Sequence, residues 1–195
     1  MKTRSIFALL ICAALPMMLH AQQVAKKAKP GCGCGFSSIN QVGLLEGSGG
    51  HFAQLQTING FRYRTWFTGL GIGLDYYHYR SVPLFIDVRK DLFNKPNTPF
   101  FYGDAGIHIP WVLDKQKPWA GRADYNNGFY YDAGLGYSFN LGKSRALLFS
   151  GGVSLKKIRE TRIYDVVCIT FPCPMQTERY DFSFKRFSLK AGLRL

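Results

Sequence analysis

Acidic and basic side chains recur at even spacing inside otherwise apolar stretches of this 195-residue chain. "PLFIDVRKDL" holds Asp87 and Arg89, "PFFYGDAGIHIPW" holds Asp104, and "GFYYDAGLGYSF" holds Asp132. The closing "FKRFSLKAGLRL" holds Arg186, Lys190 and Arg194. Two chemistries suit such a set. Acids and bases that meet inside a fold form a salt-bridged plug, satisfying charges that would otherwise be buried unpaired at high cost. The alternative is a gated channel or a carboxylate site. Catalysis would need a nucleophile, a base and an orienting group on one face. His108 shares its strand face with Asp104, but no serine is placed beside the pair, and neither His51 nor His78 opens a His-x-Ser pair. No catalytic residue is assigned, and an enzyme is not expected.

Thiols offer a second chemistry. Cys32 and Cys34 lie in "GCGCG", Cys168 and Cys173 in "CITFPC". The C-x-C spacing is not the usual C-x2-C of a four-thiolate zinc site, and the two pairs lie far apart. An even number of cysteines in an exported chain favours disulfides over metal. Neither a metal nor a cofactor is expected.

Export is read from the start of the chain. "MKTR" is a basic opening, "SIFALLICAALPMM" an apolar core, and "LHA" ends on small Ala21, the layout of a cleaved signal peptide over residues 1–21. The apolar stretch falls short of the ~20 residues a membrane-spanning helix needs. Residues 22–35 then form an N-terminal periplasmic segment. The formal charge of the whole chain is +13. A basic exported protein rarely meets nucleic acid, so anionic lipid headgroups are the better partner.

From residue 36 onward the dominant pattern is alternation, the period of a β-strand. In "WFTGLGIGLDYY" the even positions are Trp66, Thr68, Leu70, Ile72, Leu74 and Tyr76, and the odd positions are Phe67, Gly69, Gly71, Gly73 and Asp75. Val82, Leu84, Ile86 and Val88 oppose Asp87, Arg89 and Asp91. Phe101, Ala105, Ile107, Ile109 and Trp111 oppose Asp104, Gly106 and His108. Phe129, Tyr131, Ala133, Leu135, Tyr137 and Phe139 oppose Asp132, Gly134, Gly136, Ser138 and Asn140. "ALLFSGGVSLKKI" sets Leu147, Phe149, Val153 and Leu155 against Lys156, and the last stretch sets Phe187, Leu189, Ala191, Leu193 and Leu195 against Arg186, Lys190 and Arg194. "SINQVGLLEGSG" and "HFAQLQTINGFRYR" form a hairpin whose faces the pattern does not assign.

About eight strands without a helix, one face apolar with aromatic ends and the other small or charged, invert the pattern of a soluble sandwich. That inversion is the signature of a closed antiparallel transmembrane β-barrel, apolar outward to lipid and polar inward. A barrel of about eight strands has a lumen narrow enough for side chains to fill. Glycine faces inward because opposite walls approach closely, and the inward charges are read as a plug over Asp87, Arg89, Asp104, Asp132, Arg186, Lys190 and Arg194. The specific expectation is that Arg186 and Lys190 meet Asp87 and Asp104 across the lumen.

"INGFRY…GLGIGLDYY", "PLFIDVRKDL", "PFFYGDAGIHIPW", "GFYYDAGLGYSF" and "FSLKAGLRL" resemble the small OmpA- and OmpX-like barrels of the bacterial outer membrane, a porin-type superfamily. The resemblance covers nearly all of the chain past the leader, and it is architectural. It implies residence in the outer membrane and handling by the barrel-assembly machinery. Members commonly end on an aromatic residue, where this chain ends on Leu195, and the OmpA-style wall anchor is not implied.

With the N-terminus in the periplasm, "NKPNTP" and "GKS" are short periplasmic turns. The stretches "LDKQKPWAGRADYNNG" and Glu160–Glu178 are long external loops, as barrels prefer. Cys168 and Cys173 then lie outside and Cys32 and Cys34 on the periplasmic side, too far apart for the ~4.4–6.8 Å between Cα atoms that a disulfide tolerates. Cys168–Cys173 is the expected staple, holding Ile169, Phe171 and Met175 as an apolar tip for a partner protein or the lipopolysaccharide surface. The expected role is structural or surface-binding. A narrow pore for small solutes is the alternative, ahead of a lipid-modifying barrel enzyme or a soluble lipocalin-like carrier.

Overall fold

A computed structural model describes residues 34–76, 80–112, 122–142, 145–165 and 175–195. The leader, Cys32, His78, Cys168, Ile169, Phe171 and Cys173 lie outside the described residues, and Met175 is the first residue of the last strand. Nine strand segments are present: β1 (Cys34–Gly47), β2 (Gly50–Tyr63), β3 (Trp66–Tyr76), β4 (Arg80–Asp91), β5 (Thr98–Trp111), β6 (Arg122–Asn126), β7 (Gly128–Gly142), β8 (Arg145–Asp165) and β9 (Met175–Arg194). β6 and β7 both pair with β8 and are separated by Asn127 alone, so they occupy one position in the wall. Every pairing is antiparallel, and β9 returns to β1 to close an eight-stranded barrel. No helix occurs among the described residues.

Alternation decides the two faces. Outward positions expose large apolar side chains to an extent no soluble wall would tolerate: Leu70 70 %, Phe187 68 %, Leu189 64 %, Ile86 53 %. Their inward neighbours Gly71, Asp87, Ser188 and Lys190 are buried. The unassigned hairpin follows the same rule. Val42, Leu44 and Leu55 face outward, and Gln41, Gln54, Gln56, Ile39, Leu45 and Ile58 face inward. Apolar residues on both faces had masked the alternation.

The bareness of β3's inner face is required by what it packs against. A Cβ at Gly71 would overlap the edge of the Phe85 ring on β4, which occupies the space this glycine leaves. Gly50, which opens β2 after the β1–β2 turn, has φ +100°, a conformation that favours glycine.

The end of the barrel carrying Cys34 and Leu195, the near end, also carries the connections at 64–65 and 92–97 and the paired ends of β7 and β8 at Gly142 and Arg145. The opposite, far end is taller on one side. The outer half of β8, the first half of β9 and β6 extend the wall where the sequence reads as loops. In that extension the hydropathy contrast is reversed: Lys157, Arg159, Asp181, Ser183 and Lys185 face outward, while buried Ile158 and the stacked rings of Tyr180, Phe182 and Phe184 lie on the inward parity. Barrel closure is uneven as well. β9 pairs with β8 along its whole length, but with β1 only from Phe187–Arg194 against Ile39–Glu46. Leu195 then exchanges two backbone hydrogen bonds with Ser38 (3.0 and 2.8 Å) and accepts a third from the Ser37 hydroxyl (3.2 Å).

Candidate functional site: the filled lumen

The inward side chains form layers across the barrel. Asp87, Asp104 and Asp132 stand in register on β4, β5 and β7, a row of three fully buried carboxylates. Lys190 from β9 crosses to this row, with its ammonium 2.9 Å from Asp132 Oδ2 and 3.3 Å from Asp104 Oδ2. Tyr102 and Ser188 donate to Asp132 Oδ1 (2.8 and 3.1 Å), and Lys190 lies 4.6 Å from the centre of the Tyr102 ring. Asp87 is held differently. Arg89, two residues along the same strand, donates three hydrogen bonds of 2.9–3.1 Å to it.

Arg89 also starts a chain of hydrogen bonds running across the barrel. Its Nη2 donates to Gln41 Oε1 (3.1 Å), Gln41 donates to Gln56, and Gln56 and Gln54 donate to the Tyr130 hydroxyl (2.9 and 3.3 Å). Tyr130 is completely buried and packs on Phe85, with ring centres 5.4 Å apart. Phe67, Phe100 and Tyr102 are buried with them. Nearer the far end, Lys156 donates to both oxygens of Asp75 (2.6 and 2.7 Å) and to Ser81 Oγ (2.7 Å), while Ser81 donates to Asp75 (2.6 Å). All three side chains are buried. Ser81 and Lys156 thus both direct hydrogen bonds to Asp75, and the three form one buried, ion-paired cluster.

The sequence-derived set is therefore dispersed over several layers. Lys190 reaches both Asp104 and Asp132. The expected meeting of Arg186 with Asp87 is replaced by other contacts. Arg186 lies toward the far end, donating to the Gly50 carbonyl (2.8 Å) with its guanidinium 4.5 Å from the centre of the Phe52 ring. The cause is register. Arg186 sits four residues, ~13 Å along a strand, from Lys190, and Asp87 has its partner on its own strand. Arg194 approaches Ser138 at the near end (3.4 Å), where Arg62 also pairs with Asp91. His108 is not oriented by Asp104. Its Nε2 lies 2.8 Å from the Lys157 carbonyl.

Tyr130, the three glutamines and the Asp75–Ser81–Lys156 cluster are lumen residues that the charge pattern alone does not pick out. Tyr130 sits between two outward aromatics, yet it shares parity with Asp132. Gln54 and Gln56 flank Leu55, a short polar alternation that marks the inner face of β2.

An apolar outer wall around a polar, side-chain-filled interior, closed by eight antiparallel strands, is the fold of the small outer-membrane β-barrels. Among solved structures, the chain is similar to the outer membrane protein OprG from Pseudomonas aeruginosa, with 10 % identity, 84 % of this chain and 95 % of that one covered, and a TM-score of 0.52. It is likewise similar to the outer membrane protein AlkL, solved by solid-state NMR in lipid bilayers, with 15 % identity, 87 % and 92 % covered, and a TM-score of 0.51. At such identities the likeness is one of fold. No protein-family model and no curated protein matches the sequence.

Proposed function

We propose that this protein is an integral barrel of the outer membrane with a closed lumen and a structural or surface-binding role, without catalysis. The observation that carries the proposal is the hydrogen-bonded chain from Asp87 through Arg89, Gln41 and Gln56 to Tyr130, which spans the interior with buried side chains. An eight-stranded barrel is narrow enough for such a filling to leave no aqueous path. The short connections at the near end support its placement in the periplasm, with the taller β6–β8–β9 wall outside. The interior gives no support to catalysis, since Ser81 and Lys156 are committed to Asp75.

Planar-bilayer recording on the purified protein tests the closed lumen. The expected trace shows no steady conductance steps, and reproducible single-channel steps from the unmodified protein would replace this reading with that of a narrow pore. Co-fractionation with outer membrane after carbonate washing tests the location.

A further inference from the structure

On the outward face of β8 and β9, the lipid-facing wall ends in two lysines. Going from mid-wall to the far rim, Gly151 stands opposite Leu189, Val153 opposite Phe187, Leu155 opposite Lys185, and Lys157 opposite Ser183. Lys157 and Lys185 are diagonal neighbours, within ~7–8 Å at the backbone. Both are exposed, and neither ammonium has a hydrogen bond or ion pair among the described residues. Arg159, the next outward cation on β8, is already taken by Asp181 (2.8 Å). Three other cations near the rims, Lys90, Arg64 and Arg80, are engaged too. Lys90 donates to Thr65 (2.6 Å) and lies over Trp66, Arg64 lies over Tyr63, and Arg80 lies over Tyr76 and Trp111.

Two like charges this close repel each other, and an anion between them removes the repulsion. Below the lysines the wall is apolar, and it is not smooth. Phe187, 68 % exposed, leads to a furrow of about 790 Å³ between Leu44, Leu135, Phe149 and Leu189, with Gly151 and Ala191 among its lining. Leu189 lies four residues from Lys185, ~13 Å along the strand. Inorganic phosphate would answer the lysines and leave the furrow unused. A zwitterionic lipid would fill the furrow and leave the two positive charges uncompensated.

We propose that this face binds a phosphorylated lipid, with its phosphate bridging Lys157 and Lys185 and an acyl chain lying along Phe187 and Leu189 into the furrow. The site rests on the outer-membrane reading given above, and the far end it occupies is the one that reading places outside. Phosphate oxygens accept charge-assisted hydrogen bonds from both ammonium groups, and the lipid's apolar portion covers surface that is otherwise exposed.

The test is native mass spectrometry of the full chain folded in detergent, with diphosphorylated lipid A, phosphatidylcholine or inorganic phosphate added in turn. The expected result is a one-to-one lipid A adduct. The double variant Lys157→Gln, Lys185→Gln should weaken it roughly tenfold or more, while Lys90→Gln leaves it unchanged. Unheated and heated gel mobility shows whether each variant is folded. Equal retention of lipid A by the double variant overturns the site, as does equal retention of phosphatidylcholine by the unmodified protein, or phosphate binding as tight as lipid A binding. Unmodified protein that inserts into vesicles but holds no lipid A overturns the site alone. Failure to insert overturns the outer-membrane reading and the site with it.

Discussion

Lys190→Met should destabilise the barrel by about 3–5 kcal/mol, the usual cost of breaking a buried ion pair by removing one partner. Lys190 is the cation shared by Asp104 and Asp132, and all three side chains are essentially inaccessible to water. The two carboxylates do not depend on it equally. Asp132 keeps hydrogen bonds from Tyr102 and Ser188, whereas Asp104 Oδ1 has no hydrogen-bond partner, and Lys190 holds Oδ2. The double variant Lys190→Met, Asp104→Leu should therefore be more stable than Lys190→Met alone, because the acid left most exposed to burial without compensation has gone. Urea unfolding in lipid vesicles, followed by tryptophan fluorescence, measures the series. Additive losses would mean that the two groups do not share their electrostatic environment.

A second large effect is expected on the opposite face of the same wall. Ile86→Arg places a charge where the outward side chain meets hydrocarbon, at a cost of about 2–4 kcal/mol near the midplane and close to nothing at the interfaces. Ile86 is 53 % exposed, and Lys90, four residues on with the same parity, already sits at the near rim over Trp66. Leu92→Arg, just past the strand end, should be tolerated. The measurement compares the folded fraction of each variant after refolding into vesicles. Equal yields of Ile86→Arg and Leu92→Arg would contradict a lipid-facing outer wall. Asp87→Asn is a poor control for such a comparison, because Asp87 is buried and holds Arg89.

These contrasts explain what the sequence could and could not disclose. Alternation with one apolar face made β3, β4, β5, β7 and the lower half of β9 legible, because lipid on one side and a packed lumen on the other impose opposite demands on neighbouring residues. β1 and β2 were found as a hairpin without faces, since Ile39, Leu45 and Ile58 are inward and apolar. The outer parts of β8 and β9 and the whole of β6 were read as loop, because there the outward face is charged and the inward one carries Ile158, Phe182 and Phe184, the reverse of the pattern that marks the other strands. Inside the lumen, parity named the charged residues but not their partners. Pairing depends on the stagger between strands, which carried Arg186 toward Gly50 and away from Asp87, and brought Asp75 on β3 to Lys156 on β8. That second pair joins residues 81 apart in sequence, a separation no local pattern encodes.

Uneven closure gives the barrel a direction of assembly. The β8–β9 hairpin joins neighbours in sequence and zips along the whole of β9, whereas β1 and β9 meet over a short stretch and from opposite ends of the described chain. Contacts between distant residues bear the larger loop-closure entropy and so tend to form late. The β1–β9 seam should be the last to shut and the first to part, with the paired backbone groups of Ser38 and Leu195 serving as its latch.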